Sequence, residues 1–375
     1  MTEEKQQIDK KWYKTSRNIV RAGNMPFPAQ NPTLIELLQL LITEEQADFI
    51  TDAFRRKPNL SMVEIKERVD LDESTIRELL EELMKNGVVT ETQSKSTGIV
   101  VYRLMPPYPG MFEFTLMRGE TGKKQEKLAQ LFNQLFDELS ELTQENYDTV
   151  VPQYKNFPAV DRIIPVEKEI SNIPSETVLD NEDVTKIIDK YDDIALVHCY
   201  CRHEKDLLGE PCKVTDLREN CFLFGKTAKF AIEKEFGRPI DKKEAKEIIE
   251  LSEEDGLVHT VFHVHLDVDR EEEALCNCCK CCCGVIQMYH KGIMPYHCYT
   301  SYIPEFHEED CIGCGICVSK CPMDAIKLED AIAIFDETRC IGCSVCVHNC
   351  PEEAITLKRT GLREVFVPPP KRKKT

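Results

Sequence analysis

Eight cysteines near the end of the chain stand in two copies of one spacing. Cys311, Cys314, Cys317 and Cys321 read C-x2-C-x2-C-x3-C-P, and Cys340, Cys343, Cys346 and Cys350 repeat it. Closely spaced thiolates suit zinc as well as iron, but zinc has no use for a third x2 step or for the proline after the fourth cysteine. The doubled run therefore points to two iron–sulfur centres. Of the 19 cysteines in the chain, ten more gather in three groups: Cys199 and Cys201; Cys212 and Cys221; and CNCCKCCC, with Cys276, Cys278, Cys279, Cys281, Cys282 and Cys283. Six thiols in eight residues are redundant as core fillers, and as free thiols they oxidise or scavenge metal. At least one further metal centre is predicted here, one or two additional 4Fe-4S clusters ahead of zinc, with the choice of ligands left open by the spacing. Cys298 stands alone and is expected to be buried. The run LVHTVFHVHLDV puts His259, His263 and His265 on one strand face, a hydrogen-bonded or solvated face by the simpler reading, with His259 the candidate ligand. No catalytic residue, G-x-G-x-x-G or Walker A run is found.

The repeat continues past the ligands, since CPMDAIKL at 321–328 matches CPEEAITL at 350–357. Residues 303–360 resemble a bacterial-type two-cluster ferredoxin domain, a ferredoxin-type βαβ-like repeat. That resemblance implies two 4Fe-4S clusters, one on Cys311, Cys314, Cys317 and Cys350, the other on Cys340, Cys343, Cys346 and Cys321. Gly313, Gly315 and Gly342 suit loops that wrap a cluster, and Ser344 stands where a further glycine is expected. More widely, RIIPVEKEI, NEDVTKIIDKYDDIALVHCYCR, the pair Cys212 and Cys221, EEDGLVH and CNCCKCCCG resemble a family of 4Fe-4S dicluster proteins from about Arg162 to Pro351. What this implies is iron–sulfur electron transfer in anaerobic metabolism, without a defined reaction.

The elements that must position these thiols make an α+β, multidomain chain. Residues 1–32 are polar and proline-containing, an extended arm. Residues 33–119 give helices over 33–50, 61–69 and 72–86, then two strand-like runs, and resemble a winged helix-turn-helix. Residues 120–175 hold an amphipathic helix, with Leu128, Leu131, Phe132, Leu135, Leu139 and Leu142 in one stripe, and a Pro-rich linker. A mixed, cysteine-rich metal-binding domain spans 176–302, with Cys199 and Cys201 on one side of a buried strand. The dicluster domain fills 303–360 and a basic, disordered tail 361–375.

The formal charge is −18, which disfavours general binding to nucleic acid or anionic membranes and suits a redox partner with a basic patch. The expected recognition helix carries Asp72, Glu73, Glu78, Glu81 and Glu82 against Arg77 and Lys85, so DNA binding is disfavoured there and docking or homodimerisation is preferred. No apolar run is long enough to span a membrane and the N-terminus is polar, so a cytoplasmic protein is expected. The reading is an electron-transfer component of an oxidoreductase system rather than a stand-alone enzyme. Its alternatives are a redox- or iron-sensing regulator using the winged helix, and an oxidoreductase with a substrate-binding cluster in residues 199–283.

Overall fold

The computed structural model describes residues 9–23, 28–94, 97–159, 161–171, 173–174, 178–263 and 271–372. It divides into two compact units, Met1–Leu139 with Leu207–Gly209 and Glu233–Phe236, and Ser140–Asp206 with Glu210–Ile232 and Gly237–Thr375.

In the first unit, residues expected in an extended arm form the helix Lys10–Ala22, with Asp9 as its cap. Its polar composition hid a helical stripe of small and apolar groups, Trp12, Thr15, Ser16 and Ile19, that are all buried. The one helix expected over 33–50 is two, Pro32–Leu41 and Glu44–Ala53. Thr43 breaks it, since its hydroxyl accepts from Gln46 N while Gln46 Oε1 accepts from Thr43 N, a capping box readable in T-E-E-Q. Helices Met62–Lys66 and Glu73–Lys85 follow. Strands β1 (Asn59–Ser61), β2 (Val89–Gln93) and β3 (Val100–Leu104) pair antiparallel in the order β1-β3-β2. The aromatics of 105–119 are packed: Phe112 is buried edge-on to Phe132 and Phe136 of the helix Lys123–Glu145. The apolar stripe of that helix ends early, because Leu142 is exposed.

The second unit is built on one eight-stranded sheet. Its strands are β4 (Asp161–Ile164), β5 (Ile194–His198), β6 (Glu219–Phe224), β7 (Arg238–Pro239), β8 (Val258–His263), β9 (Glu272–Cys278) and β10 (Tyr296–Phe306). After the small hairpin of β11 (Ile326–Glu329) and β12 (Ile332–Phe335), β13 (Ile355–Val367) returns to its edge. The order is β13-β10-β4-β8-β9-β6-β5-β7, antiparallel throughout except for β4 beside β10. β4 lies in the segment expected to be a linker; its four residues are buried in mid-sheet although prolines flank them. Residues 361–367 of the expected basic tail belong to β13, an edge strand along which burial alternates: Lys358 and Glu364 are exposed, whereas Arg359 pairs with buried Glu182 and Arg363 donates to Cys340 O. β10 runs through position 302, so the cysteine-rich segment and the C-terminal segment share a sheet.

One face of this sheet is apolar. Ile194, Leu196, Phe222, Phe224, Val261 and Leu275 pack against Val184, Ile187 and Ile188 of one helix and Ala245 and Ile249 of another. The two-residue period of a strand then sends Cys221, Cys276 and Cys278 to the opposite face. The protein is thus an α+β, multidomain chain whose central sheet separates an oily side from a thiol side.

Candidate metal centres

The C-terminal cysteines surround two cavities. In the first loop Gly315, in the left-handed region, starts the short helix Ile316–Lys320; in the second Ser344, at φ 57°, starts Val345–His348. Cys311, Cys314, Cys317 and Cys350 line one cavity, together with Ile312, Leu328, Ile332 and Ile355. Cys321, Cys340, Cys343 and Cys346 line the other, with Pro304, Ile326, Phe335 and Ile341. The fourth cysteine of each run therefore stands with the first three of the other. Among the described residues no thiol–thiol hydrogen bond joins these eight, so the space between them is open to a four-iron cube. The residues present fit such a group.

Gly342 shows how tightly the second loop is held: at φ 71°, a Cβ there would meet Thr300 Oγ1 at 2.3 Å and Tyr302 O at 2.4 Å. Ser344 departs from glycine for a visible reason. Its hydroxyl accepts from Val166 N at 2.8 Å and donates to Cys343 O at 2.8 Å, satisfying a buried N–H that glycine would leave unmet. Backbone N–H groups also reach the sulfurs, Ala325 N to Cys321 and Gly342 N to Cys340, each at 3.3 Å. Burial pushes the Cys340 thiol up to about 11 and holds Cys343 and Cys346 above the usual thiol range. These groups become thiolates at neutral pH only with a cationic centre beside them, so loading the site expels protons. The two cavities differ in exposure: Cys314 is exposed, whereas Cys321, Cys343 and Cys346 are buried.

The ten middle cysteines sort into a four and a six. Cys212, from the irregular stretch 210–218, meets Cys279, Cys281 and Cys282 of the turn after β9, with all four sulfurs within 4.8 Å of one another. The six are linked in a row: Cys199 to Cys221, Cys221 to Cys276, Cys276 to Cys278, Cys278 to Cys283 and Cys283 to Cys201. All six are buried. Cys199 and Cys201 were expected on one strand, but β5 ends at His198 and Cys201 lies in the helix Tyr200–Leu207. The turn carries it to the row all the same, where Gly284 N donates to its sulfur at 3.2 Å.

Arg202 was not singled out from the sequence, although its place directly after Cys201 was a signal. It is fully buried, donating to Asn220 Oδ1 at 2.7 Å and Asn277 O at 2.8 Å. Burial works against its charge, but Cys199, Cys279, Cys221 and Cys212 hold it, members of both thiol groups. His259, the candidate ligand, has both ring nitrogens engaged, Nδ1 2.6 Å from Asn277 Oδ1 and Nε2 3.2 Å from Glu253 Oε1. Asn277 in turn donates to Asn220 O at 2.6 Å. His259 thus stands on β8 directly opposite Asn277, on the same face as Val261 and the opposite one from Cys276 and Cys278. That face is buried rather than solvated, His263 included; His265 lies outside the described residues. Cys298 is fully buried in β10.

Among the described residues no helix is long and apolar enough to cross a membrane. No curated protein and no solved structure matches the chain. A family model does match its C-terminal part, and with the crossed cysteines around two cavities the conclusion is that residues 304–357 form a 4Fe-4S dicluster domain, a ferredoxin-type module.

Proposed function

We propose that the protein is an iron–sulfur electron carrier that passes single electrons through its dicluster domain to or from a partner oxidoreductase. The observation that carries this is the crossed pairing of the cysteines about two adjoining cavities. A 4Fe-4S cluster supplies one-electron chemistry without making or breaking bonds in a substrate. The chain's own part is to hold Cys311, Cys314, Cys317 and Cys350 around one cluster and Cys340, Cys343, Cys346 and Cys321 around the other, to exclude water, and to aim the N–H groups of Ala325 and Gly342 at sulfur. A further iron–sulfur centre on part of the six-thiol row, facing the buried charge of Arg202, extends the relay upstream. The exposed apolar side chains Ile312, Ile316 and Leu328 lie around the outer cavity, beside the acidic run Glu308, Glu309 and Asp310, which suits a partner with a basic rim.

The N-terminal unit reads as a winged-helix docking module. Helix Glu73–Lys85 and the β2–β3 hairpin have the right order for one. The two bases of that helix are paired on it, Arg77 with Glu73 and Lys85 with Glu82. The test is anaerobic purification with iron and sulfide analysis and EPR of the reduced chain. More than the eight irons of two 4Fe-4S clusters, with spin-coupled signals, is expected; four irons or fewer overturns the proposal.

A further inference from the structure

The four sulfurs of Cys212, Cys279, Cys281 and Cys282 are packed far more closely than the C-terminal sets. Cys212 lies 3.7 Å from Cys279 and 3.6 Å from Cys281, and Cys281 lies 3.7 Å from Cys279 and 3.5 Å from Cys282. A tetrahedral ion with metal–sulfur bonds of about 2.3 Å has ligand–ligand edges of about 3.8 Å. What sets this group apart from the six-thiol row is that all four sulfurs lie within 4.8 Å of one another, a compact set that suits one ion rather than a four-iron cube, and the separations are too long for any disulfide. We infer that these four cysteines form a closed tetrathiolate site for a single zinc ion, separate from every iron–sulfur centre of the protein.

The surroundings say what such an ion would do. The local core consists of Leu257, Cys279 and Cys282, with Cys212, Val214 and Cys281 packed around it. Little apolar material holds the irregular stretch 210–218 to the turn after β9, and a metal cross-link supplies what the core lacks. Four protein thiolates fill the tetrahedron, so no open position is left for substrate, and zinc has no redox state to exchange. The backbone N–H groups of Lys213 and Val214 point at Cys281 and Cys212, and buried Arg202 offsets part of the excess negative charge. The turn that the ion fixes is continuous with Cys278 and Cys283 of the six-thiol row. The zinc therefore ties the stretch 210–218 to that turn without joining the relay. This inference stands whether or not the protein carries electrons.

The test uses the full chain, purified anaerobically from medium containing zinc and iron. Zinc analysis is expected to give about one ion per chain, and zinc K-edge X-ray absorption a shell of four sulfurs at about 2.3 Å with no nitrogen or oxygen. C212A with C281A is expected to lower zinc at least about tenfold and leave iron unchanged. The absorption spectrum of the unmodified chain decides the matter should that variant not fold. Absence of zinc, a zinc shell containing nitrogen or oxygen, or loss of iron from the variant overturns the proposal.

Discussion

Cys350 is the residue on which the two halves of the dicluster domain depend most visibly, because it belongs to one repeat by sequence and to the other by position. The crossing makes a sharp expectation for iron content. C350A with C311A removes two ligands of one cluster and is expected to lose about four irons, no more than C311A alone, while C350A with C340A is expected to lose about eight. Iron analysis of the variants reads this directly; additive loss in the first pair overturns the crossed assignment. A second residue-scale effect belongs to Glu113, whose carboxyl burial pushes up to about 7 while it accepts a hydrogen bond from Gly110 N. The folded value lies above the unfolded one, so folding takes up a proton. The stability this contributes is complete below about pH 4.5 and is lost as pH rises through about 7, a swing of about 3 kcal/mol. E113Q keeps the acceptor and removes the charge. In thermal unfolding at pH 8 it is expected to melt above the unsubstituted chain, with the difference shrinking towards pH 5.

At the scale of elements, what could be read from the sequence was what repeats or alternates. The paired ligand runs were legible because chemistry fixes their spacing, and helix Glu73–Lys85 because its apolar stripe and its stop at Gly87 agree. β4 was hidden by flanking prolines, and β13 by its basic residues, two of which, Arg359 and Arg363, find partners that no local pattern reveals. The division of CNCCKCCC was out of reach for a geometric reason. Cys276 and Cys278 follow the strand period, but the chain leaves β9 at Cys278, and past that point no period says which way Cys279, Cys281, Cys282 and Cys283 face. His259 illustrates the same limit, since its partner Asn277 comes from a neighbouring strand at paired register. Tightness of the ligand loops can be tested. G342A places a methyl group on Thr300 and Tyr302 and forces alanine into the left-handed region, at a cost of about 2–4 kcal/mol. It is expected to lower the melting temperature and speed the loss of the inner cluster to oxygen. S344G, which relieves the backbone but strands Val166 N, is expected to be destabilising as well, by about 1 kcal/mol.

Taken whole, the molecule sets an exposed redox site against a strongly acidic background, and the two make separable contributions to how electrons leave. Net charge alone makes any cationic acceptor arrive faster and makes that advantage fade with salt, over a Debye length of about 10 Å at 0.1 M. A specific exit at the outer cavity adds a local term, because Cys314 is exposed there and Glu308, Glu309 and Asp310 sit at its rim. Neutralising those three acids (E308Q, E309Q, D310N) is therefore compared with neutralising three exposed acids on the helix Lys242–Glu254 (E247Q, E250Q, E254Q), which changes net charge equally. Stopped-flow oxidation of the dithionite-reduced chain by hexaamminecobalt(III) is measured from 10 to 300 mM salt. The rim variant is expected to lose most of the salt dependence and several-fold in rate at low salt, while the helix variant keeps nearly all of both. Equal slopes in the two variants would mean that electrons leave elsewhere. The same preparations should show no retention of duplex DNA in a gel shift, because Arg77 and Lys85 are paired on their own helix and stand among five acids, Asp72, Glu73, Glu78, Glu81 and Glu82, that repel phosphate.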